Sequence, residues 1–129
     1  MSLILSIETA TSICSVALHQ DDKLLVCQEL FLDRSHSGSL ISMITQTLGY
    51  SGHSLKDLSA IAISKGPGSY TGLRIGTSTA KGLCFSLDIP LIAVNTLEAM
   101  AYGMSIFNIQ KFLLCPMLDA RRMEVFCMV

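Results

Sequence analysis

The stretch LILSIETATSICSVALHQDDKLLVCQELFL, residues 3–32, decides the fold, because its apolar residues are arranged for strands and not for helix. Residues 3–9 form a nearly continuous apolar run. Residues 12–19 alternate, with Cys14, Val16 and Leu18 on one side and Ile13, Ser15, Ala17 and His19 on the other. Successive side chains of a strand point to opposite faces, so both segments read as strands. Asp21, Asp22 and Lys23 turn the chain into a third strand over residues 24–32. The opening is therefore an antiparallel meander.

Beyond it the period changes. Ile41, Ile44 and Leu48 follow helical spacing within residues 35–50, with Gly49 or Gly52 as the stop. Residues 59–64 are a short apolar strand, Gly66-Pro67-Gly68 a turn, and residues 71–87 a second helix that ends before Pro90. Residues 91–94 give a fifth strand. Thr96 is expected to cap a third helix reaching about Phe107, with Glu98 in its first turn where the helix dipole favours an anion. Two further strands, 112–118 and 123–129, flank Asp119-Ala120-Arg121-Arg122.

The order β-β-β-α-β-α-β-α predicts an α/β domain with helices against a mixed five-stranded sheet. Its first three strands would be antiparallel, and strands 59–64 and 91–94 parallel additions reached through helices. That is the element order of one ribonuclease-H-like lobe, here residues 1–107. Residues 108–129 would begin a second lobe, truncated in mid-strand.

With 129 residues, a single domain can bury about two thirds of its unfolded surface and needs no metal or disulfide staple. Half of the residues are hydrophobic and 15% are charged, against about a quarter charged in an average domain. Such a surface leaves apolar area for a partner. A net charge of -1 with nine scattered Lys and Arg excludes a basic stripe for phosphates, so any link to RNA is indirect. The five cysteines Cys14, Cys27, Cys84, Cys115 and Cys127 are odd in number, lie in apolar segments and form no C-x-x-C pair. They read as small core residues in a reducing compartment, which predicts the cytoplasm. No Cys has a His beside it in the sequence, which disfavours a thiol nucleophile. No apolar run approaches the roughly 18 residues of a membrane span, and no signal-like segment opens the chain.

The segment most able to carry chemistry is GPGSYTGLRIG, residues 66–76: a glycine-rich turn between a strand and a helix N-terminus, where amides can meet an anion. It is not a P-loop, since no Gly-Lys-Ser/Thr follows, and the dinucleotide fingerprint would need glycine where Thr71 stands. Spacing alone favours a tight turn capped by Ser69 or Thr71 over an anion cradle.

Together with ILSIETATSICSVAL, VNTLEAMA and LDARRMEVF, this run resembles the TsaB (YeaZ) family, and the four segments span almost the whole chain in the family's order. The residues that carry the likeness include Gly66, Pro67, Gly68, Ser69, Thr71, Gly72, Arg74, Asp119 and Arg121. The resemblance implies an actin-like ATPase superfamily lobe, similar to the catalytic paralogue TsaD. It implies a non-catalytic subunit that binds a TsaD-like transferase, together with a TsaE-like ATPase, for threonylcarbamoyl transfer to an adenosine N6 beside the anticodon of tRNA. It implies a homodimer when the subunit is alone, with ATP and metal held by the partner subunits and no cofactor on this chain.

The departures from the catalytic paralogue point the same way. Its histidine pair, spaced i and i+4 for a divalent metal, is replaced by Thr96 and Met100, a hydroxyl and a thioether. His19, His36 and His53 fall on a strand end, near a helix start and in a loop, so their spacing gives no site. The first phosphate loop of the superfamily is occupied by Glu8, Thr9, Ala10 and Thr11, whose hydroxyls either bond an anion or satisfy local backbone. Asp119-Ala120-Arg121-Arg122 stands where the paralogue has Ser-Gly-Gly. A carboxylate repels phosphate there, and an Asp119–Arg121 ion pair is the expected alternative. A metal-dependent glycoprotease-like protein would need the missing histidines, and an ATP-binding actin-like enzyme would need two complete lobes.

A partner surface is expected on the helices. Residues 35–51 contain no Asp, Glu, Lys or Arg. Beside the stripe of Ile41, Ile44 and Leu48 lies another of Leu40, Met43, Thr47 and Tyr50, and Gly72, Gly76, Thr79 and Leu83 offer a low-relief face on the next helix.

Overall fold

A computed structural model of the chain describes residues 1–31 and 36–129, with the side chains of residues 36 and 37 also outside the description. The meander is present: β1 (Leu3–Glu8), β2 (Cys14–Gln20) and β3 (Lys23–Leu30). β1 pairs antiparallel with β2, Leu3 opposite Gln20 and Glu8 opposite Ser15, and β2 pairs antiparallel with β3. Asp21 takes the left-handed backbone, φ 52°, that lets a two-residue turn join β2 to β3.

α1 (His36–Ser51) leads to β4 (Ala60–Gly66), α2 (Tyr70–Leu87) to β5 (Leu91–Asn95), and α3 (Thr96–Ser105) follows. β4 lies parallel to β1, and β5 parallel to β4. The sheet order is β3-β2-β1-β4-β5, a mixed five-stranded sheet as expected, with β1 at its centre. α1 packs on β2 and β3, α2 on β4, and α3 on β4 and β5.

Alternation explains where the core sits. Leu3, Leu5 and Ile7 of β1 and Cys14, Val16 and Leu18 of β2 are buried against α1, α2 and Ile61 and Ile63 of β4. Fully burying each large aliphatic side chain contributes about 1.5–3 kcal/mol, so this face dominates stability. Their neighbours Ser6, Glu8, Ser15 and Ala17 face the other side of the sheet and are only half-buried.

Several expectations need correction. Among the described side chains of α1 the buried ones are Leu40, Met43, Ile44, Thr47 and Leu48, at i, i+3, i+4, i+7 and i+8, which is one wide stripe and not two. Ile41, expected in the core, is 53% exposed. At 100° per residue it lies one step round the helix from Leu40, and with no charged residue on α1 the pattern alone could not phase the helix. The cap of α3 is Asn95, whose Oδ1 accepts from the amides of Leu97 and Glu98 at 3.0 and 3.1 Å, and not Thr96, which is the first helical residue. Only Cys14 and Cys84 are buried, whereas Cys27, Cys115 and Cys127 are exposed. The strand expected from residue 112 begins at Met117: β6 (Met117–Arg121) and β7 (Glu124–Cys127) form a separate two-stranded hairpin. Before it, the Asn108 side chain holds Phe112 through both its amide N–H and its carbonyl, 2.9 and 2.6 Å, in an irregular loop. Among the described residues no helix is long and apolar enough to cross a membrane.

Candidate functional site

The β1–β2 hairpin tip and the glycine-rich turn meet at the start of α2. Thr9, at the tip, is fully buried, and its hydroxyl donates to the carbonyl of Gly72 at 2.7 Å. The amide of Ser69 donates to the carbonyl of Ala10 at 2.6 Å. Ser69 caps α2, its Oγ accepting from the amide of Gly72 at 3.3 Å, and its carbonyl takes the amide of Leu73 at 2.8 Å. Glu8 fixes the tip from behind: one carboxylate oxygen accepts the amide of Ala10 at 2.7 Å, and the other accepts the hydroxyl of Ser64 on β4. Thr11 Oγ1 accepts from the amide of Ile13 at 3.2 Å.

Glycine is required at this junction. A Cβ on Gly68 would lie 2.5 Å from the carbonyl oxygen of Ala10, and one on Gly76 would collide with Thr9 Oγ1 and press on Ile63 Cδ1 at 3.0 Å. Gly66 ends β4 at φ 115°, and the Gly66–Pro67 peptide is cis. Several of the amides that could have cradled an anion therefore already bond the protein itself, so the capped-turn reading holds for Ser69, Gly72 and Leu73. A Glu8 carboxylate beside the tip further disfavours a phosphate there.

The same contacts correct the expected low-relief face. Gly72 and Gly76 point into the protein, toward the hairpin and β4, and are buried. Thr79 is half-buried, and Leu83 packs against the core. Leu40, Met43 and Thr47 lie in the core, leaving Tyr50, 76% exposed, as the only member of the expected α1 stripe at the surface. The outward side of α1 is instead Ile41, Ser42, Thr45, Gln46, Gly49 and Tyr50, with no charged group, and Thr45 returns its hydroxyl to the carbonyl of Ile41 at 3.0 Å. On α2 the outward residues include Thr71, Arg74, Ser78, Lys81 and Phe85, the last 90% exposed, and the Arg74 guanidinium lies 5.5 Å from the Tyr70 ring centroid. A depression of about 380 Å³ runs along this side, lined by Thr71, Arg74, Ile75, Ser78 and Thr79.

Thr96 is buried, its Oγ1 without a hydrogen-bond partner among the described residues, whereas Met100 is 39% exposed. Among the described residues no group of three or more His, Cys, Asp or Glu could hold a metal ion. His53 pairs its Nδ1 with the Ser51 hydroxyl at 3.1 Å, His19 is half-buried on β2, and the His36 side chain lies outside the described residues. Asp119 and Arg121 are both exposed. The expected ion pair gives way to a local turn, in which Asp119 accepts the amide of Arg121 at 2.8 Å while Arg121 sits at φ 65°. Burial pushes the Cys14 and Cys84 thiols up from their ordinary range, which keeps both protonated. A second groove, about 230 Å³, lies on the α3 side of the sheet and is lined by Ser6, Glu8, Ser15, Ser64, Val94 and Ala99.

The tip-to-helix junction escaped the sequence because its partners lie far apart in the chain, Thr9 and Gly72 being 63 residues distant. The one visible signal was two glycines one helical turn apart, Gly72 and Gly76, which the pattern could not assign to an inward or an outward face.

Comparison with known proteins accords with this arrangement. The family TsaD, tRNA N6-adenosine threonylcarbamoyltransferase, matches residues 31–129. The tRNA threonylcarbamoyladenosine biosynthesis protein TsaB of Escherichia coli is 42% identical over 123 residues, 95% of this chain and 52% of that protein. The chain thus spans about half the length of such curated relatives. The solved structure of YeaZ from Pseudomonas aeruginosa superposes with a TM-score of 0.86 at 34% identity, covering 97% of this chain and 58% of that one. Thermus thermophilus RuvC in complex with a Holliday junction substrate shares the fold alone, with a TM-score of 0.54 at 9% identity over 81% of this chain and 71% of its own.

Proposed function

The chain belongs to the TsaD family, on the branch of the TsaB (YeaZ) tRNA threonylcarbamoyladenosine biosynthesis proteins, and we propose that it acts there as a non-catalytic scaffold. In this reading it docks on a TsaD-like catalytic subunit and supports that partner while it transfers threonylcarbamoyl to adenosine N6 of tRNA. The observation that carries the reading is the junction at the start of α2. At the place of the superfamily's first phosphate loop, the Ala10 amide bonds the Glu8 carboxylate and the Thr9 hydroxyl is buried on the Gly72 carbonyl, so neither is offered to phosphate.

Docking falls to the outward side of α1 and α2. α1 has no charged residue and exposes Ile41 and Tyr50, and α2 exposes Phe85, a composition suited to an interface core. The same surface would pair two copies when the catalytic subunit is absent. ATP and metal belong to the partner subunits, among them a TsaE-like ATPase, and tRNA is reached only through them. The tRNA substrate and the free cysteines support cytoplasmic residence in this reading.

The test is co-purification with a TsaD-like subunit, alongside calorimetry of this chain with magnesium and ATP. Complex formation without nucleotide heat supports the scaffold. Saturable ATP binding by the chain alone would replace it with an ATP-using actin-like enzyme. Ile41→Glu, which charges the docking face without touching the core, is expected to weaken the complex about tenfold or more.

A further inference from the structure

A hairpin tip is normally the most exposed and most variable part of a sheet. Here it is among the most buried. Thr9 and Ala10 are 0% and 2% exposed, and they touch the chain again at four residues spread over the turn and the first two turns of α2: Gly68, Ser69, Gly72 and Gly76.

We propose that this tip is the positioning element that seats α2 on the sheet, with the Thr9 hydroxyl as its key group, so that the outward side of the helix meets a partner in one fixed orientation. The proposal rests on the docking reading above. Its physical basis is that α2 is gripped on its inward side at the same two turns that present Thr71, Arg74 and Ser78 outward. A helix is stiff over two turns, so a shift or roll at Gly72 and Gly76 moves those outward residues equally. The grip is chemically specific. Gly76 has no side chain to fend off the tip, Ile63 closes the gap from β4, and the Thr9 hydroxyl takes the Gly72 carbonyl as a second donor. Glu8 keeps the tip in register by bonding Ala10 on one side and Ser64 on the other.

Thr9→Val keeps shape but puts a methyl where the donor was. Thr9→Ser keeps the donor, and Thr9→Ala removes it without bulk near Gly76 should the valine variant not fold. Two measurements on the full chain decide the matter: amide hydrogen exchange at residues 72–76, and affinity for the TsaD-like subunit by calorimetry well below every melting midpoint. Val16→Ala, a cavity under β2 opposite Ile7 that leaves the Thr9 hydroxyl in place, serves as the destabilised control. Thr9→Val or Thr9→Ala is expected to speed exchange at residues 72–76 and to weaken binding by about tenfold, the scale of one lost hydrogen bond. Thr9→Ser is expected to restore both, and Val16→Ala to lose melting temperature without losing affinity.

Unchanged exchange in the hydroxyl-deleted variants would overturn the proposal. So would an equal affinity loss in Val16→Ala, or full affinity in Thr9→Val while Ile41→Glu still disrupts the complex. Full affinity in Ile41→Glu would instead refute the docking reading and leave the seating of α2 to be judged on exchange alone.

Discussion

Replacing Gly76 by alanine probes the junction with a single methyl group. The added Cβ would collide with Thr9 Oγ1, sit 3.4 Å from Thr9 Cβ and press on Ile63 Cδ1 at 3.0 Å. Ile63 can yield, since the contact is the far end of a flexible side chain. Thr9 cannot, because rotating it breaks the 2.7 Å bond to the Gly72 carbonyl in a fully buried site. Overpacking of this kind costs about 1–3 kcal/mol, and relief of glycine's helix penalty returns only about 0.5–1 kcal/mol. The expected net loss is about 1–2 kcal/mol. For 129 residues the unfolding entropy near the midpoint is about 0.27 kcal/mol/K, so the midpoint should fall by roughly 4–8 °C. Gly82 lies in the same helix with nothing within 4 Å of an added Cβ, and Gly82→Ala should raise the midpoint by about 2–4 °C. Far-UV circular dichroism melts of both variants give the comparison. A Gly76→Ala protein that melts at or above Gly82→Ala would refute the packing of the tip against the helix.

Four further outcomes follow from burial and capping. Met43→Glu places a carboxylate in the core, where Met43 is 6% exposed, and should cost several kcal/mol or abolish folding. Ile41→Glu, two positions earlier, should stay within about 0.5 kcal/mol of wild type in urea titration. Asn95→Ala removes both hydrogen bonds that start α3 and should lose about 1 kcal/mol in the same titration, less for Asn95→Ser. Ellman's reagent should find Cys27, Cys115 and Cys127 in the native protein and reach Cys14 and Cys84 only after denaturation, since burial both shields these two thiols and holds them protonated. Prompt reaction of all five would contradict the core as described.

What could be read from the sequence tracks the range of the interactions that fix each feature. Alternation of Cys14, Val16 and Leu18 identified the buried face of β2 because neighbouring strand residues must point opposite ways. The helix over residues 35–50 was visible, yet its phase was not. Leu40 and Ile41 are adjacent and equally apolar, and no charge marks the wet side, so only packing against β2 and β3 could choose between them. Asp119 and Arg121 looked like an ion pair from charge alone, but at i and i+2 in a tight turn the carboxylate reaches the backbone amide first. The expectation that residues 66–68 form a tight turn at the entry to a helix depended on local chemistry and holds. Its occupation by Ala10 depended on a contact between distant segments, which no periodicity records.

The central place of β1 in the order β3-β2-β1-β4-β5 also sets a timetable for folding. Its antiparallel partner β2 follows within a few residues, but its parallel partner arrives much later, Ile4 pairing with Ala60. During synthesis the meander can close while α1 is still being made, and one edge of β1 then stays open until β4 emerges. An open edge beside Leu3, Leu5 and Ile7 is a template for pairing with another nascent chain. Pulse-labelled exchange should accordingly show β1–β2 amides protected before those between β1 and β4. Substitutions that delay α1 should then lower the yield of native protein through aggregation, even where the finished fold is no less stable.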